Sequence, residues 1–344
     1  MGSEMCIRDR GLRWSDARRG YEAVDGLTLA FVTLARAAEG SLAAPSPASS
    51  LPAVLPPAEL QYLSLMRQAL ERGHVRATRN DTTRSCFGGR IVVDLSDGVV
   101  PLLTTKRMAW KTVIKELLWF ARGETDNRTL QGQGVGIWNG NASREFLDSR
   151  GLQHLREGDL GPVYGFQWRH AGAAYTTCEA DYAGQGADQL DGVRQDLVDN
   201  PHSRRMLISA WNPADLDKMA LPPCHVLSQW YVDGRGRLWL QLYQRSGDMF
   251  LGVPFNLFSY AALLRMMATL VGREPGGMVH VLGDMHIYEG HVKAVEEQLA
   301  RCPYAPPRLS VDEPVGGAWE GFSIDGFRLE GYQHAPGLQA PMVA

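Results

Sequence analysis

The sequence predicts an α+β fold, one domain on a mixed, twisted β-sheet with flanking helices, and three observations carry that reading. Leu238, Leu240 and Leu242 alternate with Trp239, Gln241 and Tyr243, the period of a strand with two substantial faces, both expected to be covered. Asn256 to Val271 is a long, mostly apolar stretch of helical length, suited to the centre of a core. Two further strands, Arg205 to Trp211 and Val226 to Val232, and an amphipathic helix, Tyr288 to Arg301, surround these, and no segment repeats.

Residues 1–57 read as a disordered or non-native extension. Met1 to Arg10 has no periodicity and resembles a translated cloning scar, which adds nothing to a fold. Residues 11–40 have room for a short helix, and 41–57 form a Pro/Ala/Ser-rich linker that cannot build a core. The folded domain spans 58–344. Leu60, Tyr62, Leu63, Met66 and Leu70 fall at helical spacing, and Gly73 stops the run. Ile91 to Leu95 reads as a strand. Thr104 and Thr105 are placed to cap a helix from Arg107 to Arg122, which Gly123 ends. Gly132 to Asn141 is a Gly-rich loop around Trp138.

Of the 344 residues, 44% are hydrophobic and 21% charged, a globular balance. The formal net charge of -3 gives no general attraction to nucleic acid or an anionic membrane, so an anionic ligand needs a local arginine or lysine cluster. Leu27 to Ala35, the longest N-terminal apolar stretch, is about half of the roughly 20 residues a membrane span requires. Arg18, Arg19 and Arg36 suit an organellar leader, but Asp16, Glu22, Asp25 and Glu39 oppose one. Cys6, Cys86, Cys178, Cys224 and Cys302 are scattered and lack CxxC spacing. No disulfide framework and no metal site is expected, and a reducing, cytoplasmic compartment fits.

Five features could carry chemistry. Cys224 follows Pro222 and Pro223, which fix two φ angles and stiffen the approach to its thiol; a buried structural cysteine is the plainer alternative. His225 points to the opposite strand face, so the two form neither a zinc pair nor a dyad. Arg204 and Arg205 precede one strand, and Arg245 and Ser246 end another; guanidinium forks and a hydroxyl suit a phosphate. Glu116 shares a helix face with Val113, Trp119 and Phe120, which calls for either an ion pair or a carboxyl of raised pKa that relays protons. Asn256 is either a helix cap or a donor–acceptor for a pyrimidine edge. His286 and Tyr288, two apart in GDMHIY, could simply cap a helix. The loop Gly132 to Gly136 lacks GxGxxG spacing, and no GxxxxGK[ST] occurs.

Taken singly, each feature has a plain structural explanation. Together and in order, eight segments resemble the folate-dependent thymidylate synthase family: PLLTTKR (101–107), KELLWF (115–120), GDLGPVYGFQWRH (158–170), SRRMLISAWNP (203–213), MALPPCH (219–225), QLYQRSGDMFLGVPFN (241–256), GDMHIY (283–288) and EGYQHAPGLQAPM (330–342). The resemblance implies reductive methylation of dUMP to dTMP, with 5,10-methylenetetrahydrofolate giving both carbon and hydride. Cys224 would add to uracil C6, aided by Arg245 as the neighbouring cation. Glu116 would direct proton traffic with Tyr164 and His225. Asn256 and Asp248 would orient pyrimidine and pterin. Arg79, Arg245 and Ser246 would hold the phosphate, joined by Arg204 and Arg205 from the other subunit of an obligate homodimer. His286 and Tyr288 would hold the ribose. Ile137, Trp138, Leu221, Leu251, Gly252 and Phe255 would line the folate site, with Tyr288 beside it, Lys106 drawing its glutamate tail and Ala344 closing over it.

Two departures stand out. The family's Asp-Arg-Thr-Gly-Thr-Gly loop reads here Thr78 to Ser85, shorter and without glycine, with Arg79 the first choice for the phosphate and Arg84 the second. Asn139 follows Trp138 where Asp is usual. Two alternatives remain open on the sequence. One is a deoxyuridylate hydroxymethylase of the same family; a cytosine-using version would carry Asp at Asn256. The other is an inactive nucleotide- or RNA-binding homologue, which would not need Cys224, Glu116 and Arg245 together.

Overall fold

A computed structural model of the chain describes residues 12–15, 20–23, 57–78 and 81–343. Near the N-terminus, β1 (Leu12–Ser15) and β2 (Gly20–Ala23) pair antiparallel; the rest of 11–40, where there is room for a short helix, lies outside the described residues. The linker expected at 41–57 lies outside the described residues apart from Pro57, which precedes α1 (Ala58–Arg72).

The main sheet has six strands: β3 (His74–Ala77), β4 (Thr82–Asp94), β5 (Leu207–Ser209), β6 (His225–Val232), β7 (Leu238–Asp248) and β8 (Pro275–Tyr288). Their spatial order is β3-β4-β8-β7-β6-β5. Only β7 and β8 run parallel, which makes the sheet mixed. A parallel neighbour needs a crossover, and α7 (Gly252–Val271) supplies it. Five shorter helices lie between α1 and β6 or before α7: α2 (Trp110–Ala121), α3 (Asn127–Gly132), α4 (Arg144–Ser149), α5 (Tyr164–His170) and α6 (Gln189–Asp199). After β8 come α8 (Val292–Leu299) and a small ladder of β9 (Arg308–Val311) with β10 (Phe327–Glu330).

The core lies between α7 and one face of the sheet. Leu238, Leu240 and Leu242 point into it from β7 and are all buried, each contributing about 2 kcal/mol by apolar burial. α7 is long and apolar enough to cross a bilayer, but 78% of its most apolar stretch is buried within the protein. Even Arg265 is inside, its Nη2 donating to the carbonyls of Leu95 at 2.7 Å and Val99 at 2.9 Å. α5 packs against α2, and at Gly165 an added Cβ would meet the carbonyl oxygens of Phe120 at 3.0 Å and, just past the end of α2, Glu124 at 2.9 Å.

The opposite sheet face is open. Tyr231 is 61% exposed and Leu207 41%, so the expectation that both faces are covered is not met within one chain. The capping expectation for α2 also fails. Its N-cap is Ala109, without a side-chain bond. Thr104 and Thr105 instead turn both backbone amides and both hydroxyls onto the Glu59 carboxylate of α1, at 2.6 to 3.0 Å. That contact ties the loop before α2 to the first helix.

Candidate active site

The stiff Pro222–Pro223 entry delivers Cys224 to the start of β6, next to the end of β7. The Cys224 amide donates to the Tyr164 hydroxyl at 2.7 Å, and its carbonyl accepts from the Arg245 amide at 2.8 Å. Arg245 donates through Nε to the Pro223 carbonyl at 2.8 Å and through Nη2 to the Pro222 carbonyl at 3.0 Å. Nη2 then lies 3.9 Å from the Cys224 sulfur, and Nη1 has no hydrogen-bond partner among the described residues. The diproline thus supplies the acceptors that aim a cation at the thiol, because two carbonyls fix a planar fork. Burial is the larger influence and pushes the Cys224 thiol above its ordinary range, while Arg245 pulls it back. Arg245 thus acts in the direction expected of a neighbouring cation, but within one chain burial outweighs it.

Glu116 on α2 accepts a hydrogen bond from Trp138 Nε1 at 2.8 Å. It makes no ion pair among the described residues. Desolvation raises its pKa to about 7, with the Trp138 bond opposing the shift. The Trp138 ring lies 6.1 Å from that of Tyr164, and Tyr164 stacks on His225 at 3.9 Å. His225 meets the Tyr260 hydroxyl at 2.9 Å through Nδ1. Burial, with His280 adding to it, lowers its pKa to about 3, so it is uncharged near neutral pH. Glu116, Trp138, Tyr164 and His225 therefore form one continuous wall, and no hydrogen bond joins Cys224 to the His225 ring.

Asn256 sits inside α7, one turn from its start at Gly252, and not at the helix's first position as expected. Its Oδ1 accepts from Gln244 Nε2 at 3.0 Å, and the Gln244 Oε1 meets His280 Nε2 at 2.8 Å. Burial also lowers the His280 pKa to about 3, so the ring is neutral. With Oδ1 engaged, Nδ2 is the amide atom of Asn256 left to donate. Asp248 accepts from the amides of Phe250 at 2.8 Å and Leu251 at 3.2 Å, closing the turn into α7, and its Oδ1 lies 3.6 Å from His291 Nδ1.

His286 and Tyr288 share one face at the end of β8, with ring centroids 5.1 Å apart. The helix expected from Tyr288 starts four residues later, because β8 runs to Tyr288. Ile137, Leu221, Leu251 and Phe255 are partly buried against the core, of which the buried Trp138 is part. Gly252, the first residue of α7, has room beside it, since an added Cβ would come no closer than 3.7 Å to Asp248.

Other expected site residues lie elsewhere. Lys106 is 4% exposed, with Nζ donating to the Phe250 carbonyl and lying 3.8 Å above the Phe250 ring; burial lowers its pKa to about 8. It reaches a folate tail only if it leaves that pocket. Arg204 and Arg205 are exposed ahead of the edge strand β5 and make no ion pair among the described residues. Arg79 and Ala344 lie outside the described residues. On either side of Arg79, the Thr78 amide donates to the Asp81 carbonyl at 3.0 Å. Arg84, the second choice for the phosphate, is engaged by Glu289 at 2.8 Å. Asn139 Oδ1 accepts from Asn127 at 3.1 Å and Gln131 at 3.0 Å.

Sequence reasoning missed Gln244 and His280. Gln244 stands beside Arg245 in a quoted segment, but nothing marked His280 within its strand. A cavity of about 610 Å³ bounded by Arg122, Asp126, Arg169, Cys178 and Glu320 contains none of the expected site residues. Cys86, Cys178 and Cys224 are free thiols, whereas Cys302 is disulfide-bonded, against the spacing argument. No cluster of three or more His, Cys, Asp or Glu suited to a metal occurs among the described residues.

Comparison with known proteins adds to this geometry. The family model for thymidylate synthase matches residues 60–344. The chain is 53% identical over 288 residues to the thymidylate synthase of Human herpesvirus 8 type P (isolate GK18), covering 83% of this chain and 85% of that protein. It is 49% identical over 294 residues to the Saccharomyces cerevisiae thymidylate synthase, covering 83% and 96%. It is also 50% identical over 275 residues to the Zea mays bifunctional dihydrofolate reductase-thymidylate synthase, covering 80% of this chain and 52% of that protein.

Proposed function

This chain belongs to the thymidylate synthase family, and from that premise we propose which of its residues perform the reaction. The enzyme is a methyltransferase that converts dUMP to dTMP, with 5,10-methylenetetrahydrofolate as co-substrate. One observation carries the assignment of the centre: Arg245, braced on Pro222 and Pro223, holds Nη2 3.9 Å from the Cys224 sulfur. Cys224 loses its proton and adds through sulfur to uracil C6, which leaves C5 electron-rich. The folate supplies the one-carbon unit and then the hydride, and it leaves as dihydrofolate. Glu116 exchanges protons near neutrality at the pKa its burial sets. The pyrimidine proton removed from C5 travels along the wall of Glu116, Tyr164 and His225. At the end, the C6–sulfur bond breaks and Cys224 is restored.

Asn256 donates from Nδ2 to uracil O4. A cytosine presents an amino donor there, so donor would face donor and the base is rejected. Asp248 orients the pterin, and Ile137, Trp138, Leu221, Leu251, Gly252 and Phe255 cover it with Tyr288. Arg245, Ser246 and Arg79 take the phosphate. His286 and Tyr288 take the ribose hydroxyl. Lys106, once released from Phe250, draws the glutamate tail, and Ala344 completes the closure.

The proposed assembly is a homodimer through the open sheet face, with Arg204 and Arg205 of each chain completing the other's phosphate site. The exposure of Tyr231 and Leu207, and of two arginines without ion pairs among the described residues, supports it. The proposed catalytic unit is 58–344, in keeping with a family match that begins at residue 60. A cytoplasmic location is proposed because Cys224 must stay reduced to act.

The test is covalent capture. Wild-type protein with 5-fluoro-dUMP and methylenetetrahydrofolate is expected to give a ternary adduct by mass, and Cys224→Ser none. With dUMP, the expected product is dTMP with one dihydrofolate each; a hydroxymethyl product without dihydrofolate would reverse the assignment.

A further inference from the structure

Asp284 is held from three sides at the ribose end of the site. Strand periodicity puts it on the same face of β8 as His286. Its Oδ1 accepts from the buried Ser85 hydroxyl at 2.8 Å and lies 3.2 Å from His286 Nδ1. Its Oδ2 lies 3.6 Å from Arg76. Ser85 is itself the ladder partner of His286. His286 is 8% exposed, and its ring is flanked by Tyr288. The hydrogen bond with His286 is the largest of the influences that hold the Asp284 carboxyl below its ordinary range. A carboxylate only accepts, so the nitrogen facing it carries the proton, and the far nitrogen of a neutral ring keeps its lone pair. Nε2 of His286 has no hydrogen-bond partner among the described residues.

We propose that Asp284 is a positioning residue that fixes His286 with Nδ1 protonated, so that Nε2 accepts a hydrogen bond from the nucleotide's 3′-hydroxyl. The enzyme then selects nucleotides with a hydrogen-bond donor at the 3′ position. A 3′-deoxy sugar leaves Nε2 unpaired, and a 3′-phosphate meets it with acceptor against acceptor. The inference rests on the ribose role of His286 given above.

The experiment compares dUMP with 2′,3′-dideoxyuridine 5′-monophosphate on wild-type enzyme and on Asp284→Ala. In wild type, loss of the 3′-hydroxyl is expected to lower kcat/KM on the order of tenfold, the value of about one hydrogen bond, mainly through KM. In Asp284→Ala the two substrates are expected to differ by no more than about twofold, since the ring is free to turn. Equal discrimination in both proteins overturns the role of Asp284 and leaves the ribose role of His286 standing. No discrimination in wild type overturns both. A second readout does not depend on the variant: the ¹⁵N spectrum of histidine-labelled wild-type protein, with His286 assigned by difference from His286→Asn. A signal for protonated Nδ1 and bare Nε2 is expected. The opposite tautomer, or an imidazolium at neutral pH, overturns the proposal.

Discussion

Among the described residues Glu116 has one neutral donor, Trp138, at 2.8 Å and no cation to offset its burial, and desolvation raises its pKa from 4.5 to about 7. The folded chain therefore holds this proton between roughly pH 4.5 and 7, where the unfolded chain has lost it. Stability contributed by the protonated carboxyl is fully present below about 4.5 and is lost as pH rises to about 7. The full swing is on the order of 3 kcal/mol. Glu116→Gln keeps an acceptor for Trp138 and removes the titration. Urea midpoints at pH 5 and pH 8 are expected to show the variant gaining on wild type by up to that amount at pH 8. Parallel pH curves would contradict it. The same variant is expected to form dTMP about 100-fold more slowly or worse, as loss of an acid–base group implies, because an amide cannot release and retake the proton. What favours Glu116 for catalysis is what makes it unfavourable for stability near neutral pH.

Among the elements, the contact between α1 and the loop before α2 shows what a sequence can hide. Thr104 and Thr105 read as a helix cap because threonine before an apolar helix often is one. They serve a carboxylate that lies 45 residues earlier in the chain, and no local rule reaches that far. Glu59 receives five contacts of 2.6 to 3.0 Å from these two residues. Glu59→Ala is expected to lower stability by about 2–3 kcal/mol, the range for hydrogen bonds to a charged group, and Glu59→Gln by less, because one acceptor oxygen remains. Chemical denaturation measures both; a loss under about 0.5 kcal/mol for Glu59→Ala, the level of an ordinary surface change, would mean that solvent replaces the contact. Other elements were legible where periodicity was clean. The leucine alternation of β7 and the apolar run of α7 are where they were expected. β8 was not seen, because Gly276, Gly277 and His280 interrupt its alternation. α6 was readable yet overlooked: Asp188 caps it, and Leu190, Val193 and Leu197 fall at helical spacing. At the site, the grouping of Arg245 with Cys224 was expected only through the family resemblance, and for Glu116 the sequence left an ion pair and a raised pKa both open. The Gln244–His280 support behind Asn256 was not legible, because it joins β7, β8 and α7 only in space.

For the whole molecule, the open sheet face and the exposed Arg204 and Arg205 lead to the same arrangement. An exposed row that includes Tyr231 and Leu207 leaves apolar surface uncovered in one chain. A two-fold assembly covers it with the same row of a second copy. In the proposed dimer each site takes Cys224 from one chain and Arg204 and Arg205 from the other. Cys224→Ser and Arg205→Ala are then each expected to be nearly inactive alone, for different reasons. After the two are mixed under conditions that exchange subunits, every heterodimer contains one site with both intact residues and one with neither. Half of the dimers are heterodimers at equal mixing, so activity is expected to recover to about a quarter of the wild-type value per chain. Recovery must depend on exchange, and it must vanish when Tyr231→Asp is added to both chains, since a charge on each copy of the face repels its mate. If the mixture stays inactive although exchange is demonstrated by mass, Arg205 acts in its own chain or not at all, and the shared-site arrangement is wrong.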